Sequence, residues 1–319
     1  MYDVIIIGAG PAGMTAAIYA ARREMNVLVI GKELGGQMVW ASEIENYPGF
    51  KKISSVDLIM KMQEQVKNLG VEINQTEVKK VEKQNDGSFI LYTSKDKIET
   101  KTMIIAMGLV PRRLAIPGEE EFNGRGVSYC ANCDGPIYKD KVVAVVGGGN
   151  AALDAAEVLS KIAGKVYLIH RRDEFRGFEA LVQEVKAKDN IELLLSCEVK
   201  DIVGADKVEK IKVINNKTQE ISEYDVNGVF IEIGRIAHTD LVTDLVERDE
   251  RNQIITDEKC ATKTKGVFAA GDVTQGDFKQ ITIAMGKATI AALAAYQYLQ
   301  LKAGKDLKVV LDRSTPKGK

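Results

Sequence analysis

Histidine and cysteine are scarce in this chain of 319 residues, and their scarcity removes whole classes of chemistry. The two histidines, His170 and His238, are not in metal-ligand spacing with each other. Of the four cysteines only Cys130 and Cys133 are close neighbours, while Cys197 and Cys260 stand alone. A structural zinc site takes four ligands, usually as two close pairs, so zinc is not expected. Excess positive charge is missing too: 44 Lys and Arg face 45 Asp and Glu, with no basic stripe. Nucleic acid, whose binding rests on neutralising phosphates, is therefore not expected as the main partner. Long apolar runs are also absent. The longest, Ile281 to Leu299, is interrupted by Lys287, Gln297 and two tyrosines, and reads as a soluble core helix and not as a membrane span. The N-terminus lacks a positively charged lead and runs directly into the strand-like Val4 to Ile7, so it does not read as a signal peptide. Few cysteines and no signal point to the cytoplasm, where a CxxC pair serves catalysis more often than structure. The Lys-rich tail, from about Lys302 to Lys319, reads as a loosely ordered, solvated end.

What is present is concentrated in Cys130-Ala131-Asn132-Cys133-Asp134. Two thiols separated by two residues can close a small redox-active disulfide. Exchange at such a bond needs a thiolate attacker and a protonatable leaving thiolate, and the carboxyl group of Asp134 beside the second sulfur can supply or remove that proton.

Two dinucleotide fingerprints frame this motif. Val4 to Ile7 is a β-branched run of the buried parallel-strand kind. It leads into Gly8-Ala9-Gly10-Pro11-Ala12-Gly13 and an Ala-rich helix to about Arg23, which puts the GxGxxG turn between a strand and a helix. There Gly8 permits the tight turn, Gly10 lets a pyrophosphate approach, and Gly13 lets helix pack on strand. The next strand ends at Glu33, the candidate acid for ribose hydroxyls. The pattern recurs at Val142 to Val146, followed by Gly147-Gly148-Gly149-Asn150-Ala151-Ala152 and a second Ala-rich helix. Where an NAD site would place a carboxylate, this chain carries His170, Arg171, Arg172 and Arg176. A cluster of arginines suits a dianionic 2′-phosphate, which selects NADPH over NADH. A flavin then fits the first site, because a bare dithiol accepts hydride poorly without an intermediary. A further strand, Gly266 to Ala270, ends in Gly271-Asp272, where the aspartate can hold a ribityl hydroxyl.

Taken together these motifs closely resemble the low-molecular-weight, FAD-dependent thioredoxin reductases of bacteria and archaea, over about Tyr2 to Leu299. The resemblance is carried by GAGPAG at Gly8 to Gly13, GGQ at Gly35 to Gln37, ENYPG at Glu45 to Gly49 and IIAMG at Ile104 to Gly108. It continues through GRGVSYCANCDG at Gly124 to Gly135, GGGNAA, HRRDEFR, AAGDV, and KQI at Lys279 to Ile281. It implies an α/β fold of two Rossmann-like dinucleotide-binding domains, with the NADPH domain inserted into a discontinuous FAD domain. The expected boundaries are residues 1–112 and 240–319 for FAD and 113–239 for NADPH and the CxxC. The FAD site it implies draws on Gly8, Gly10, Pro11, Ala12, Gly13, Glu33, Gly35, Gly36, Gln37, Asn46, Ala106, Gly108, Gly271, Asp272, Lys279, Gln280 and Ile281. The NADPH site draws on Gly147, Gly149, Asn150, Ala151 and the 170–176 cations. In the implied chemistry Cys133 faces the flavin, Cys130 attacks the partner disulfide, and Asp134 is the acid/base.

The resemblance also implies a homodimer, thioredoxin as partner, and rotation of one domain against the other. Departures are Met107 in place of a usual threonine, and Ala237-His238 where a proline-asparagine pair is common. Arg125, Ile137 and Tyr138 flank the dithiol and are candidates for partner docking. The segment after it is also similar to the flavoprotein subunit of alkyl hydroperoxide reductase. Alternatives are a reductase of a glutaredoxin-like or peroxiredoxin-linked carrier, a different electron donor, or a flavin-dithiol redox sensor. Asp134 argues against the sensor, which needs no acid/base.

Overall fold

The computed structural model describes residues 1–40, 43–44 and 46–305. Most of the tail expected to be loosely ordered, 306–319, lies outside the described residues, as does Glu45 of the ENYPG motif. The chain divides into two compact units. The first comprises Met1–Val39, Glu43–Val110 and the chain from Ile236; the second contains Pro111–Arg235. The crossings thus fall at Val110/Pro111 and Arg235/Ile236. Residues 236–239, which the sequence assigns to the inserted domain, pack with the first unit, because Ala237 is 3% exposed among Val242, Leu245 and Ile254 in that unit's core.

The first unit is built on one sheet. Tyr2–Ala9 lies parallel between Val27–Leu34 and Lys97–Ile105, and Glu72–Asn74 extends it beyond Val27–Leu34. Besides Tyr2–Ala9, Lys97–Ile105 serves two further neighbours: its early residues pair antiparallel with Phe89–Thr93, and Met103 to Ile105 pair parallel with Val267–Ala269. Ile7, Ile30 and Ala269 fall in one row through their pairing with Tyr2–Ala9 and Lys97–Ile105. The loops that follow them therefore share one carboxyl edge of the sheet. The helix Pro11–Ala21 packs against both this sheet and the long helix Ile281–Lys302, which itself touches the sheet at Lys97–Ile105 and Val267–Ala269. Small side chains permit that approach: Ala284, Ala288, Ala291, Ala292 and Ala295 form the buried stripe of the long helix at helical spacing.

The second unit has a five-stranded, all-parallel sheet in the order Val127–Ser128, Gly228–Ile231, Val142–Val146, Lys165–His170, Ile191–Leu195. Successive residues of the central strand feed opposite cores, as a two-residue period requires. Val143 and Val145 pack under the helices Asn150–Ser160 and Glu179–Lys186, with Leu153, Ala156 and Val185. Ala144 and Val146 pack under an antiparallel sheet of Cys197–Gly204, Val208–Asn215 and Ile221–Asp225, with Val199, Ile211 and Val213.

Candidate functional site

In the first unit the glycine turn is held by contacts that leave no room for side chains. Gly8 has φ of +117°, and a Cβ there would lie 2.2 Å from the Ala106 carbonyl oxygen. At Gly13 it would lie 1.7 Å from Gly8 O, so the helix start is pressed onto the strand end. Pro11 opens the helix, with Ala12 and Gly13 buried behind it, and Gly10 caps it without any side-chain hydrogen bond. Its first N–H groups are therefore available to a phosphate. Gly36 faces Gly10 across the turn, and a Cβ on Gly36 would be 3.1 Å from Gly10 Cα. Gly35 N–H donates to Ala9 O at 2.9 Å.

The other residues assigned to a flavin converge on the same edge. Gln37 Nε2 donates to Asp272 Oδ2 at 2.7 Å, although 235 positions separate them. Asp272 follows Gly271, which fits against Ala12 of the first helical turn. Gly108 faces the Gln37 amide. Asn46 Nδ2 donates to Gln280 Oε1 at 3.1 Å, immediately before Ile281 opens the last helix. Lys279 Nζ donates to Thr274 O at 2.7 Å and Gln253 Oε1 at 3.3 Å. Burial holds its ammonium below the usual lysine range, against the opposing pull of the Asp272 carboxylate. Lys287, the charge that breaks the apolar run, donates to Thr274 Oγ1 at 2.8 Å and Gln275 O at 2.9 Å and ties down the same loop. Glu33 is exposed near the end of its strand, with no ion pair among the described residues.

In the second unit Gly147 has φ of +154°, and a Cβ there would lie 2.3 Å from Glu232 O. Gly149 caps the helix Asn150–Ser160, again without a side-chain hydrogen bond, and a Cβ on it would meet nothing within 4 Å. This turn is open on its outer side. Ala151, two residues beyond Gly149, is exposed. The basic loop is pinned to the turn by its backbone. Arg176 N–H donates to Gly148 O at 2.7 Å and Phe178 N–H to Asn150 Oδ1 at 2.8 Å. Arg171, Arg172 and Arg176 are exposed, and no ion pair holds their guanidinium groups among the described residues.

His170 does not join them. Its ring is 7% exposed and fills the space that a Cβ on Gly148 would take; Nε2 is 3.1 Å from Glu174 O, and the ring stacks on Phe175. Burial and the charges of Arg171 and Arg176 hold it below the usual histidine range. Its ring thus braces the underside of the turn, apart from the exposed arginines.

Cys130 follows the edge strand Val127–Ser128, so it lies at the carboxyl edge of the same sheet. It is 7% exposed and disulfide-bonded, whereas Cys197 and Cys260 are buried free thiols. Cys130 N–H donates to Ser128 Oγ at 3.0 Å, and Asp134 N–H donates to Cys130 O at 3.1 Å, closing the single turn Ala131–Asp134. The Cys133 side chain lies outside the described residues. The Asp134 carboxylate and burial both raise the Tyr138 phenol, burial the more. Tyr138 itself packs edge-on against Phe230 in the core, so of the docking candidates only Ile137, 65% exposed, offers apolar surface. Arg125 is engaged with the backbone oxygens of Glu121 and Asp206.

One group was not legible in the sequence. Glu119, 2% exposed, accepts from Leu114 N–H at 2.9 Å, Ala115 N–H at 2.6 Å and Tyr129 Oη–H at 2.7 Å, while Arg113 donates to the same phenol oxygen at 2.9 Å. The start of the second unit is thereby tied to the residue before Cys130. Tyr129's place beside the dithiol was the only available signal. Among the described residues no cluster of metal-ligating side chains occurs, and no helix is long and apolar enough to cross a membrane.

Comparison with known proteins gives this geometry its family. The profile described as "Pyridine nucleotide-disulphide oxidoreductase" matches residues 2–288. The chain belongs to that family. It is 38% identical to the thioredoxin reductase of Listeria innocua, over 99% of this chain and 98% of that one. It is 42% identical to a "34.2 kDa protein in rubredoxin operon" of Clostridium pasteurianum, over 93% and 97%. Among solved structures, thioredoxin reductase of Lactococcus lactis is 42% identical and superposes with a TM-score of 0.86, covering 94% of this chain and 99% of that one. This family member is therefore a flavoprotein disulfide reductase with two Rossmann-like domains, as the motifs implied.

Proposed function

We propose that this disulfide reductase moves electrons from NADPH, through FAD and the Cys130–Cys133 pair, to thioredoxin, in the cytoplasm and as a homodimer. The observation that carries this reading is the shared edge of the second unit. The disulfide-bonded Cys130 and the open Gly147–Gly149 turn end strands of one parallel sheet, with three exposed arginines, unpaired among the described residues, beside the turn. Those arginines favour NADPH over another electron donor, since an exposed cluster tied to a dinucleotide turn suits a 2′-phosphate.

The first site fits FAD. Its uncapped helix, paired glycine loops and the Gln37–Asp272 bond make a cradle in which added side chains would collide with backbone. Gly10, Gly13, Gly36, Gln37, Asn46, Ala106, Gly108, Asp272 and Gln280 would hold it, and when bound it supplies the two-electron link between a hydride donor and a disulfide. The balanced reaction takes NADPH, one proton and an oxidised dithiol protein to NADP⁺ and the reduced dithiol. Arg171, Arg172 and Arg176 bind the 2′-phosphate. In the reduced enzyme Cys130 attacks one sulfur of the partner disulfide and the other sulfur leaves as thiolate. Cys133 then attacks Cys130 Sγ, which releases the partner's second sulfur and restores the disulfide. Asp134 moves the protons that the attacking and leaving sulfurs exchange.

A steady-state assay tests this. NADPH consumption by the holoenzyme should depend on added thioredoxin and persist for many turnovers. Equal rates with and without thioredoxin, or faster turnover with a glutaredoxin-like or peroxiredoxin-linked carrier or with a different donor, would reject it.

A further inference from the structure

Glu232 is the first residue after the strand Gly228–Ile231, the neighbour of the strand that feeds the glycine turn. Its N–H donates to Val146 O at 2.8 Å, and its carbonyl oxygen occupies the space beside Gly147. The sheet order makes this a switch point. The chain leaves Val142–Val146 toward Lys165–His170 on one side, and Gly228–Ile231 lies on the other. In open parallel sheets a dinucleotide crosses the carboxyl edge at that crevice, with the adenosine half over the first crossover strand and the nicotinamide half over the other side. The arginine loop marks the adenosine side here, so Glu232 belongs to the nicotinamide side.

The Glu232 carboxyl group is half-buried there, with no hydrogen bond or ion pair among the described residues. The charged groups that face it are Arg235, on the connector beyond it, and Asp154, on the helix Asn150–Ser160. Burial outweighs the attraction of Arg235, and Asp154 adds to it, so the group is pushed up to about 7. A carboxyl with no donor among the described residues, on a residue whose carbonyl oxygen borders a turn shaped for diphosphate, has two states of very different compatibility with a ligand carrying several negative charges.

We propose that Glu232 is a proton-linked residue of the second dinucleotide site, taking up one proton when the pyridine dinucleotide seats on the Gly147–Gly149 turn and releasing it when the dinucleotide leaves. The inference rests on the assignment of that turn to NADPH. Neutral Glu232 presents a hydroxyl donor to the ligand's oxygens, whereas the carboxylate repels the diphosphate. The proton comes from solvent and no covalent bond changes.

Calorimetric titration of the FAD-loaded enzyme with NADP⁺ across pH 6 to 9, in buffers of different ionisation enthalpy, reads both affinity and protons. For the native enzyme Kd should rise with pH above the free-enzyme pKa, approaching about tenfold per pH unit, with up to about one proton taken up per site. Glu232→Gln should bind with a flatter pH profile and without that uptake, and Glu232→Asp should restore the pH dependence. Both variants should retain FAD and the native melting transition. Any slope from the ligand's own 2′-phosphate is common to all three proteins and cancels in the comparison. Equal slopes and equal proton counts in the native enzyme and Glu232→Gln would overturn the inference while leaving the NADPH assignment intact. Failure of the native enzyme to bind NADP⁺ at any pH would instead overturn the assignment itself, and the inference with it.

Discussion

Arg171 and Arg172 are held in place by their backbones and left open at their ends. Ser196 N–H donates to Arg172 O at 2.9 Å and Asn216 Nδ2 to Arg171 O at 3.3 Å, while both guanidinium groups are exposed. Removing them should cost ligand affinity and little stability. Each charge-assisted bond to a 2′-phosphate contributes about 1.5–3 kcal/mol, so the double replacement by alanine should raise the NADPH KM by roughly a hundredfold or more. NADH, which lacks that phosphate, should be nearly unaffected, and an equal loss for both cofactors in steady-state kinetics would end the assignment. The exposure of these arginines was legible because charge at a strand end is a local property. The burial of His170, their neighbour in sequence, was not legible: it is set by Gly148 and Phe175, and no local pattern distinguishes a cation aimed at solvent from a ring folded under a turn.

At the scale of the element, the two strand–turn–helix units look alike in sequence but differ in how tightly they close. A Cβ at Gly13 would sit 1.7 Å from a backbone oxygen, whereas one at Gly149 would meet nothing within 4 Å. Gly13→Ala must therefore lever the helix Pro11–Ala21 off its strand, and the protein should be recovered with little flavin and a lower melting temperature. Gly149→Ala should fold and retain flavin normally, yet bind NADPH more weakly, because the added methyl group projects into the space left for the ligand. Flavin absorbance after purification, with a thermal melt, checks both; a flavin-replete Gly13→Ala would contradict the packing described here. The strands and helices around both turns were readable from β-branched runs, glycines and alanine periodicity. The antiparallel sheet over Cys197–Asp225 was not anticipated. Its strands alternate buried and exposed residues only in part, as in Val208–Asn215, and it earns its place only as a cover over Val146 and Ile231.

At the scale of the molecule, the insertion was suggested by resemblance and by two short connectors, and the positions of the crossings emerge from packing. Ala237 lies beside Val242 in the first unit's core, so the second crossing precedes it, at Arg235/Ile236. The pairing of Gln37 with Asp272 and of Asn46 with Gln280 joins the two sequence segments of the first unit, contacts more than 230 positions apart that no window of sequence can reveal. The central claim is that Cys130 is the sulfur that meets the protein substrate. Cys133→Ser, reduced and mixed with a thioredoxin whose resolving cysteine has been removed and whose remaining cysteine carries an activated disulfide, should form a covalent adduct. Peptide mass spectrometry should place its link at Cys130. Cys130→Ser should form none under the same conditions. An adduct formed through Cys133 in Cys130→Ser, with none in Cys133→Ser, would contradict the account.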